Sequence, residues 1–425
     1  MKLVLPIIFS AYAASALTVE RHHMTHEDTL KWEEYKLKFG KRYSSQIEHD
    51  RRFDIFVNHL RKFESHNSDK SKTYKMGTNQ FTDLTWDEFR NKMLMSQKKD
   101  IREDDETPDQ LPYPEEAWEF ECPKRFEGAE IPEQFSKRCD WRDPQYNPKG
   151  LVADVGVKNQ ASCGSCYVFS AVAAMEGSLC LNGDYDCESW SGLSEQQALN
   201  CATYDEKVGD RAWERSHGCS GGWQSNIYQY VYKAGGITSE ENVPYESGNS
   251  SAFDNKYNVG QCPYTWETQF DFVKEHSQAY VGKDICGTTN KGGRADADEM
   301  KQALFSKGPL AIGMYVGDNF RHVHSGVYIP DDTDSGDCPN LLKVGINHAM
   351  TAVAYRTAMI VDEEGNENEV DYWVIKNSWD TTFAEEGYVN VVRGKNACGI
   401  EGNISYVDMV KAAEHDDDDG SGDGN

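Results

Sequence analysis

The sequence predicts an α+β protein in which a helix-rich stretch is followed by a strand-rich one, with a cleft between them and a helical segment in front. Three observations carry this. The run Cys166 to Leu181 (CYVFSAVAAMEGSLCL) is apolar almost all round, as expected of a helix inside a core. Beyond it, short β-prone runs recur at Leu310 to Tyr315, Ala349 to Tyr355, Tyr372 to Lys376 and Tyr388 to Val392. Ahead of it, Gln46 to Asn67 carries Phe53, Phe56, Leu60 and Phe63 at spacings of 3, 4 and 3, one apolar stripe on a helix.

From the N-terminus, Lys2, the apolar stretch Leu3 to Tyr12 and the small residues Ala14-Ser15-Ala16 predict a secretory signal over residues 1–16. No later apolar run approaches the roughly 20 residues needed to cross a bilayer. Entry into an oxidising compartment implies that most of the 12 cysteines are paired. It also makes Asn249-Ser250-Ser251 and Asn403-Ile404-Ser405 glycosylation sequons to consider.

Residues 17–99 form a front segment of net charge +4, in which Thr25 to Phe39 predicts a first helix stopped by Gly40. Residues 100–128 are acidic, rich in proline and without periodicity, hence an exposed linker. The body, 129–410, is expected to be helical over about 139–250 and β-rich over about 265–410, with Ser194 to Gln197 as a capping box and Ala202 to His217 and Asp362 to Asp371 as surface insertions. Residues 411–425 are too charged and glycine-rich to pack. The whole chain carries −27, which argues against a nucleic-acid partner, and 38% hydrophobic residues argue against global disorder.

The chemistry concentrates in Gln160-Ala161-Ser162-Cys163-Gly164-Ser165-Cys166-Tyr167. A redox Cys-x-x-Cys would normally sit in a βαβ unit, which the pattern lacks, and Cys201 and Cys219 are too far apart to complete a zinc knuckle. The third reading is a nucleophile: Cys166 opens the buried helix, where unpaired N–H groups and the helix dipole favour a thiolate. His348, in an apolar strand start, is a candidate base, and Asn377, ahead of Trp379, could orient its ring.

Together these residues resemble the papain-like cysteine peptidases. QASCGSCY is similar to the family's active-site segment, which implies Cys166 as nucleophile, His348 as base, Asn377 as its orienting partner and Gln160 as side-chain donor of the oxyanion hole. The resemblance implies a papain-like two-domain fold, a helical left and a β-barrel-like right domain, preceded by a helical propeptide. Glu48, Arg52, Phe56 and Asn67 match the family's inhibitory propeptide helix, with His59 and Phe63 replacing its usual Asn and Ile. Gly77, Asn79, Phe81 and Asp83 match its second propeptide motif, a combination that looks cathepsin L-like. Such a propeptide would send its linker through the cleft in the reverse direction and mask Cys166.

The resemblance also implies disulfides Cys163–Cys219, Cys201–Cys262 and Cys338–Cys398, with Cys166 free. Cys180–Cys187 is a fourth expected from proximity, and Cys139–Cys286 a further pairing, while Cys122 has no partner that can be named. Gly221 and Gly222 look like the substrate-binding turn. Trp223, Gly313, Ile346, Ala349 and Asn403 resemble the wall of the S2 pocket, beside Asn347 and Trp379. Departures from the family are Tyr167 for Trp, and Asp380, Phe383 and Ala384 for Gly, Trp and Gly, which put primed-side contacts in question.

The reading is a cysteine endopeptidase made as a secretory zymogen, with a Cys166–His348 ion pair once active. No cofactor or metal is expected. Its partners would be peptide substrates, its own propeptide and cystatin-like inhibitors, and it would work as a monomer in an acidic vacuole-like compartment or outside the cell. Alternatives are a non-catalytic binding or storage protein of the same fold, or an exopeptidase. A +4 front segment on a body of net −19 further suggests an attraction that fades as carboxylates protonate below about pH 5.

Overall fold

Thr25 caps the first helix, α1 (His26–Lys38), through a reciprocal bond with Asp28, and Gly40 ends it at a positive φ of 60°. Ser45 caps α2 (Gln46–Ser68), whose stripe of Phe56, Leu60 and Phe63 is buried, with Trp32 of α1 against Phe56 at 5.2 Å between ring centres. The computed structural model describes residues 24–95, 130–202, 216–248, 262, 279–287, 297–330, 337–338, 345–361 and 366–411. The expected signal, the acidic linker, all but the first residue of the acidic tail, Asn249 and Cys122 lie outside these residues.

Two short elements complete the front segment. β1 (Tyr74–Met76) pairs antiparallel with β5 (Val323–Tyr328), so the front segment adds an edge strand to the body's sheet. α3 (Trp86–Met93) is opened by a capping box of Thr85 and Glu88.

The body's central helix α4 (Cys166–Leu181) is buried from Cys166 to Cys180, as its all-apolar sequence requires. It packs with α5 (Glu195–Cys201) and α6 (Gln224–Ala234) in one core cluster. Ser194 caps α5 through Gln197 N–H, but the box is half made. The Gln197 side chain instead donates to Tyr230 and accepts from Thr238 N–H, because its buried amide finds tertiary partners there.

The remaining strands are β2 (Cys139–Asp140), β3 (Ala279–Gly287), β4 (Leu310–Met314), β6 (His348–Val361), β7 (Glu367–Lys376), β8 (Tyr388–Val392) and β9 (Ile404–Lys411), with α7 (Ala297–Lys307) between β3 and β4. Their order is β1-β5-β8-β7-β6-β4-β9-β3, with β2 on β6; β5 and β8 run parallel and the other pairs antiparallel. Thus Cys139–Asp140, expected in the helical half, belongs to the sheet. Residues 367–371, expected as a surface insertion, extend the β6–β7 hairpin, with Thr357 opposite Asp371 and Val361 opposite Glu367. The ends of the other insertion, Ala202 and Ser216, are fully buried and joined by a backbone hydrogen bond.

Four disulfides close Cys163–Cys219, Cys180–Cys187, Cys201–Cys262 and Cys338–Cys398. The expected Cys139–Cys286 pair is corrected: Cys139 is a free, buried thiol. The sheet order explains this, since β2 lies on the edge of β6 that also pairs β4, and β3 stands two strands beyond β4, roughly 10 Å away at ordinary strand spacing and out of disulfide reach. Among the described residues no helix is long and apolar enough to cross a membrane.

Candidate active site and its plug

The site lies where the two cores meet, with Cys166 in the helical cluster and Trp379 in the cluster shared by the sheet and the front segment. Cys166 is the first residue of α4, and its N-cap Ser165 makes no side-chain capping bond, so the helix's first N–H groups remain directed at the thiol's surroundings. The sulfur also accepts from Ala349 N–H at 3.4 Å. His348 opens β6 and stacks on Trp379 with ring centres 4.6 Å apart.

Asn377 Oδ1 accepts from its neighbour Ser378 N–H at 2.8 Å and lies 2.9 Å from His348 Nε2. An oxygen can only accept, so Nε2 carries a proton, which leaves Nδ1 as the nitrogen able to act as base. Nδ1 is buried without a hydrogen-bond partner. In this state Nδ1 makes no hydrogen bond to the Cys166 sulfur. Burial pushes the Cys166 thiol up to about 12 against the pull of three backbone N–H groups, and pushes His348 down to about 4 against its bond to Asn377. With both residues 0% exposed, burial favours the uncharged form of each.

What buries them is the front segment. Gln160 Nε2 donates to the carbonyl of Met93, the last residue of α3, at 2.8 Å, and to Cys163 O at 2.6 Å. Met95 N–H donates to Asn347 O at 3.0 Å, while the Asn347 side chain clamps both backbone groups of Val316. Met95 passes so close to Gly221 that a Cβ there would sit 2.9 Å from its own Cβ. At Gly164 a Cβ would stand 2.5 Å from Cys219 O and 3.0 Å from Leu94 O, so only glycine admits the backbone here. Residues 93–95, just ahead of the expected linker, are thus the ones that occupy the cleft.

Residues the sequence did not single out hold this arrangement. Ser378 Oγ donates to Gln160 Oε1 at 2.7 Å, which fixes the amide with its NH2 group toward the Met93 carbonyl. Tyr245 OH donates to Gln160 O at 2.9 Å and meets Ser165 Oγ at 2.8 Å. Ser378 is adjacent to Asn377 and could have been read from the motif; Tyr245, remote in sequence, carries no local signal.

Gly313, Ile346 and Asn403 do converge. A Cβ on Gly313 would lie 3.1 Å from Ile346 Cγ2 and 3.2 Å from Asn403 Nδ2. Asn403 is only 9% exposed, which disfavours a glycan on this sequon. Trp223 is the half-buried N-cap of α6, and the next residue, Gln224, ties that helix to Ile312 O beside Gly313. At Gly222 a Cβ would meet the Tyr167 ring at 2.6 Å. Tyr167 therefore underlies the turn as a larger ring would, and its hydroxyl adds a bond to Gly218 O at 3.2 Å. Asp380 and Ala384 adopt positive φ of 69° and 46°, the conformation glycine favours, and Phe383 meets Trp379 edge-on at 4.9 Å. The aromatic cover over His348 thus survives these departures.

The motif residues of the front segment are its fasteners. Arg52 bonds Glu48, Glu88 and Asp83 O, and the Asn67 amide brackets both backbone groups of Met76 at 2.8 Å. Gly77 N–H donates to His322 O, and Asn79 Nδ2 to Arg321 O at 2.6 Å. Phe81 meets Trp379 edge-on at 5.5 Å, and Asp83 gathers Tyr35, Lys41 and Tyr43. Phe56 lies under Tyr35 at 4.7 Å.

Such a fold and site define a thiol peptidase held in its precursor form. The profile of the papain family cysteine proteases matches residues 135–408, and that of the cathepsin propeptide inhibitor domain residues 32–89. The chain belongs to the papain family. It is 32% identical to cysteine proteinase 3 of Solanum lycopersicum over 380 residues, 89% of this chain and 84% of that one. Over 385 residues it is 29% identical to a cathepsin L-like proteinase of Fasciola hepatica, 89% of this chain and 93% of that one. Its fold superposes on the digestive procathepsin L2 proteinase of the Tenebrio molitor larval midgut with a TM-score of 0.64, at 27% identity, covering 89% of this chain and 99% of that one.

Proposed function

We propose that the chain is a secretory cysteine endopeptidase whose prosegment, residues 17–99 with the linker 100–128, is removed by proteolysis in an acidic compartment. The observation that carries this is the Met93 carbonyl on the Gln160 amide, a peptide group held where a developing oxyanion would sit beside Cys166. With the prosegment gone, water returns to Cys166 and His348, the N–H groups of α4 and Ala349 favour the thiolate, and the thiol proton passes to His348. Cys166 then attacks the peptide carbonyl, Gln160 and the Cys166 N–H hold the oxyanion, and His348, steered by Asn377, protonates the leaving amine. Water completes the hydrolysis of the acyl-enzyme.

Substrate would pair with Asn347 O and the Gly221–Gly222 turn, and its P2 side chain would enter beside Gly313, Ile346, Ala349 and Asn403. The active form would be a monomer whose vacated cleft is open to cystatin-like inhibitors.

Purified chain brought to about pH 4.5 with a reductant should shorten and then cleave a peptide blocked at both ends. Shortening without cleavage of that peptide would overturn the endopeptidase reading and favour an exopeptidase. Gln160→Ala in the processed enzyme should lower kcat roughly 10²–10³-fold with KM little changed, measured on the same peptide.

A further inference from the structure

Two histidines meet where the prosegment docks, and neither belongs to the catalytic group. His59 of α2 and His322 of the turn before β5 stand 4.5 Å apart between ring centres, and Phe63 closes on His322 at 4.9 Å. Hydrogen bonding fixes the state of His59. Its Nδ1 lies 2.7 Å from Thr82 O, which can only accept, so Nδ1 carries a proton. Its Nε2 lies 3.2 Å from Arg321 Nη2, which can only donate, so Nε2 is a lone pair. A second proton would set two donors against each other. His322 is 0% exposed with both ring nitrogens unpartnered, so a proton there would be a buried charge without an acceptor.

We propose that His59 and His322 form a proton-operated latch: docking of the prosegment requires both rings neutral, and protonation on acidification expels it. This rests on the reading of residues 17–99 as an inhibitory prosegment.

The charges facing the pair make the latch one-sided. Lys62 on α2 and Arg321 on the turn are both cationic, and the carboxylate between them, Asp318, already accepts from Lys62 Nζ at 2.7 Å and Arg321 Nε at 2.8 Å. Arg321 also donates to Leu84 O at 2.9 Å. Although burial opposes it, Arg321 and Lys62 hold the Asp318 carboxyl down to about 2. Glu88 of α3, which also acts on Arg321, is likewise held down to about 2, against burial, by the Thr85 N–H and by Arg51 and Arg52. These two carboxylates stay ionised through the range in which histidine titrates. The trigger they leave is therefore distinct from a general fading of +4 against −19 below pH 5.

The sign follows from burial. It lowers His59 to about 4, helped by Arg321, and His322 well below the ordinary 6.5, helped by His59. A depressed histidine stabilises the docked state above about pH 6.5, and that stabilisation is lost as pH falls through the window toward 4. Docking at pH 5 should then be weaker than at pH 7.5 by on the order of 30-fold from His59 alone, and His322, lowered in the same direction, should weaken it further.

The test is amide hydrogen exchange of α2 in the full-length Cys166→Ala chain, corrected for the intrinsic pH dependence of exchange, from pH 8 to 4.5. Protection of α2 should collapse between pH 6.5 and 5 while α4 stays protected, with an uptake of more than one proton per opening. His59→Asn, which keeps a donor for Thr82 O, combined with His322→Phe, which keeps the ring, should match the parent at pH 8 and stay docked at pH 5. A docked double variant with the parent's pH profile would overturn the latch. So would a parent chain that opens only below pH 4.5. The proton uptake of the unsubstituted pair decides the matter if the double variant does not dock. Exchange reports docking rather than catalysis, so its outcome is separate from that of the peptidase assay.

Discussion

Cys166→Ala is expected to fold, to dock its prosegment and, once the prosegment has been cut away by a trace of the parent enzyme, to cleave peptides at least ~10⁴-fold more slowly than the parent. The sulfur sits at the start of α4 and accepts from Ala349 N–H, the residue after His348, whose Nε2 donates to Asn377. In the docked state the site is silent twice over. The Met93 carbonyl occupies the amide of Gln160, the proposed oxyanion donor, and burial favours the uncharged forms of thiol and imidazole. The folded state should lose only on the order of 1 kcal/mol, because alanine omits a single buried atom. The comparison is kcat/KM on a doubly blocked peptide, with far-UV circular dichroism to verify the fold.

Asp83→Ala is expected to unlatch the precursor. This carboxylate is 2% exposed and accepts from Tyr35 OH at 2.8 Å, Lys41 Nζ at 2.8 Å and Tyr43 OH at 3.0 Å. Alanine would leave two phenols without this acceptor and the Lys41 ammonium with only Gln80 O, a loss of about 3–5 kcal/mol by analogy with broken buried pairs. The cost falls on the prosegment alone, since all three donors belong to α1 and the loop after it. The consequence should be a prosegment that unfolds at lower temperature than the body and a Cys166 that reacts with thiol reagents at neutral pH. Asp83→Asn, which retains an acceptor, should lose less. An Asp83→Ala chain as latent as the parent would show that the prosegment's hold does not depend on this cluster.

The candidate quartet was legible because its chemistry is local. Gln160, Cys163 and Cys166 lie within seven residues, the buried helix announces itself by composition, and His348 and Asn377 mark the starts and ends of β-prone runs. The prosegment motifs were legible for the same reason. What the sequence hid were juxtapositions. No local pattern says that the carbonyl reaching Gln160 belongs to Met93, and α3, which delivers it, is not among the elements read from the sequence. Nor could Tyr245 be found, because its hydroxyl reaches Gln160 from 85 residues away. The Cys139–Cys286 expectation failed on strand order, which short β-prone runs do not determine. Only contact across the interface could reveal His59 and His322 as a pair, 263 residues apart in sequence.

The central claim is that residues 93–95 mask Cys166 until the prosegment leaves. Its most direct test is to treat the full-length chain with a thiol-directed epoxide before and after acid processing and to map the label by mass spectrometry. At pH 7.5 Cys166 should remain unlabelled and the chain intact; after processing at about pH 4.5 Cys166 should carry the label, with buried Cys139 unmodified throughout. Rapid labelling of Cys166 in the intact chain at pH 7.5, or no labelling after the prosegment has gone, would contradict the account.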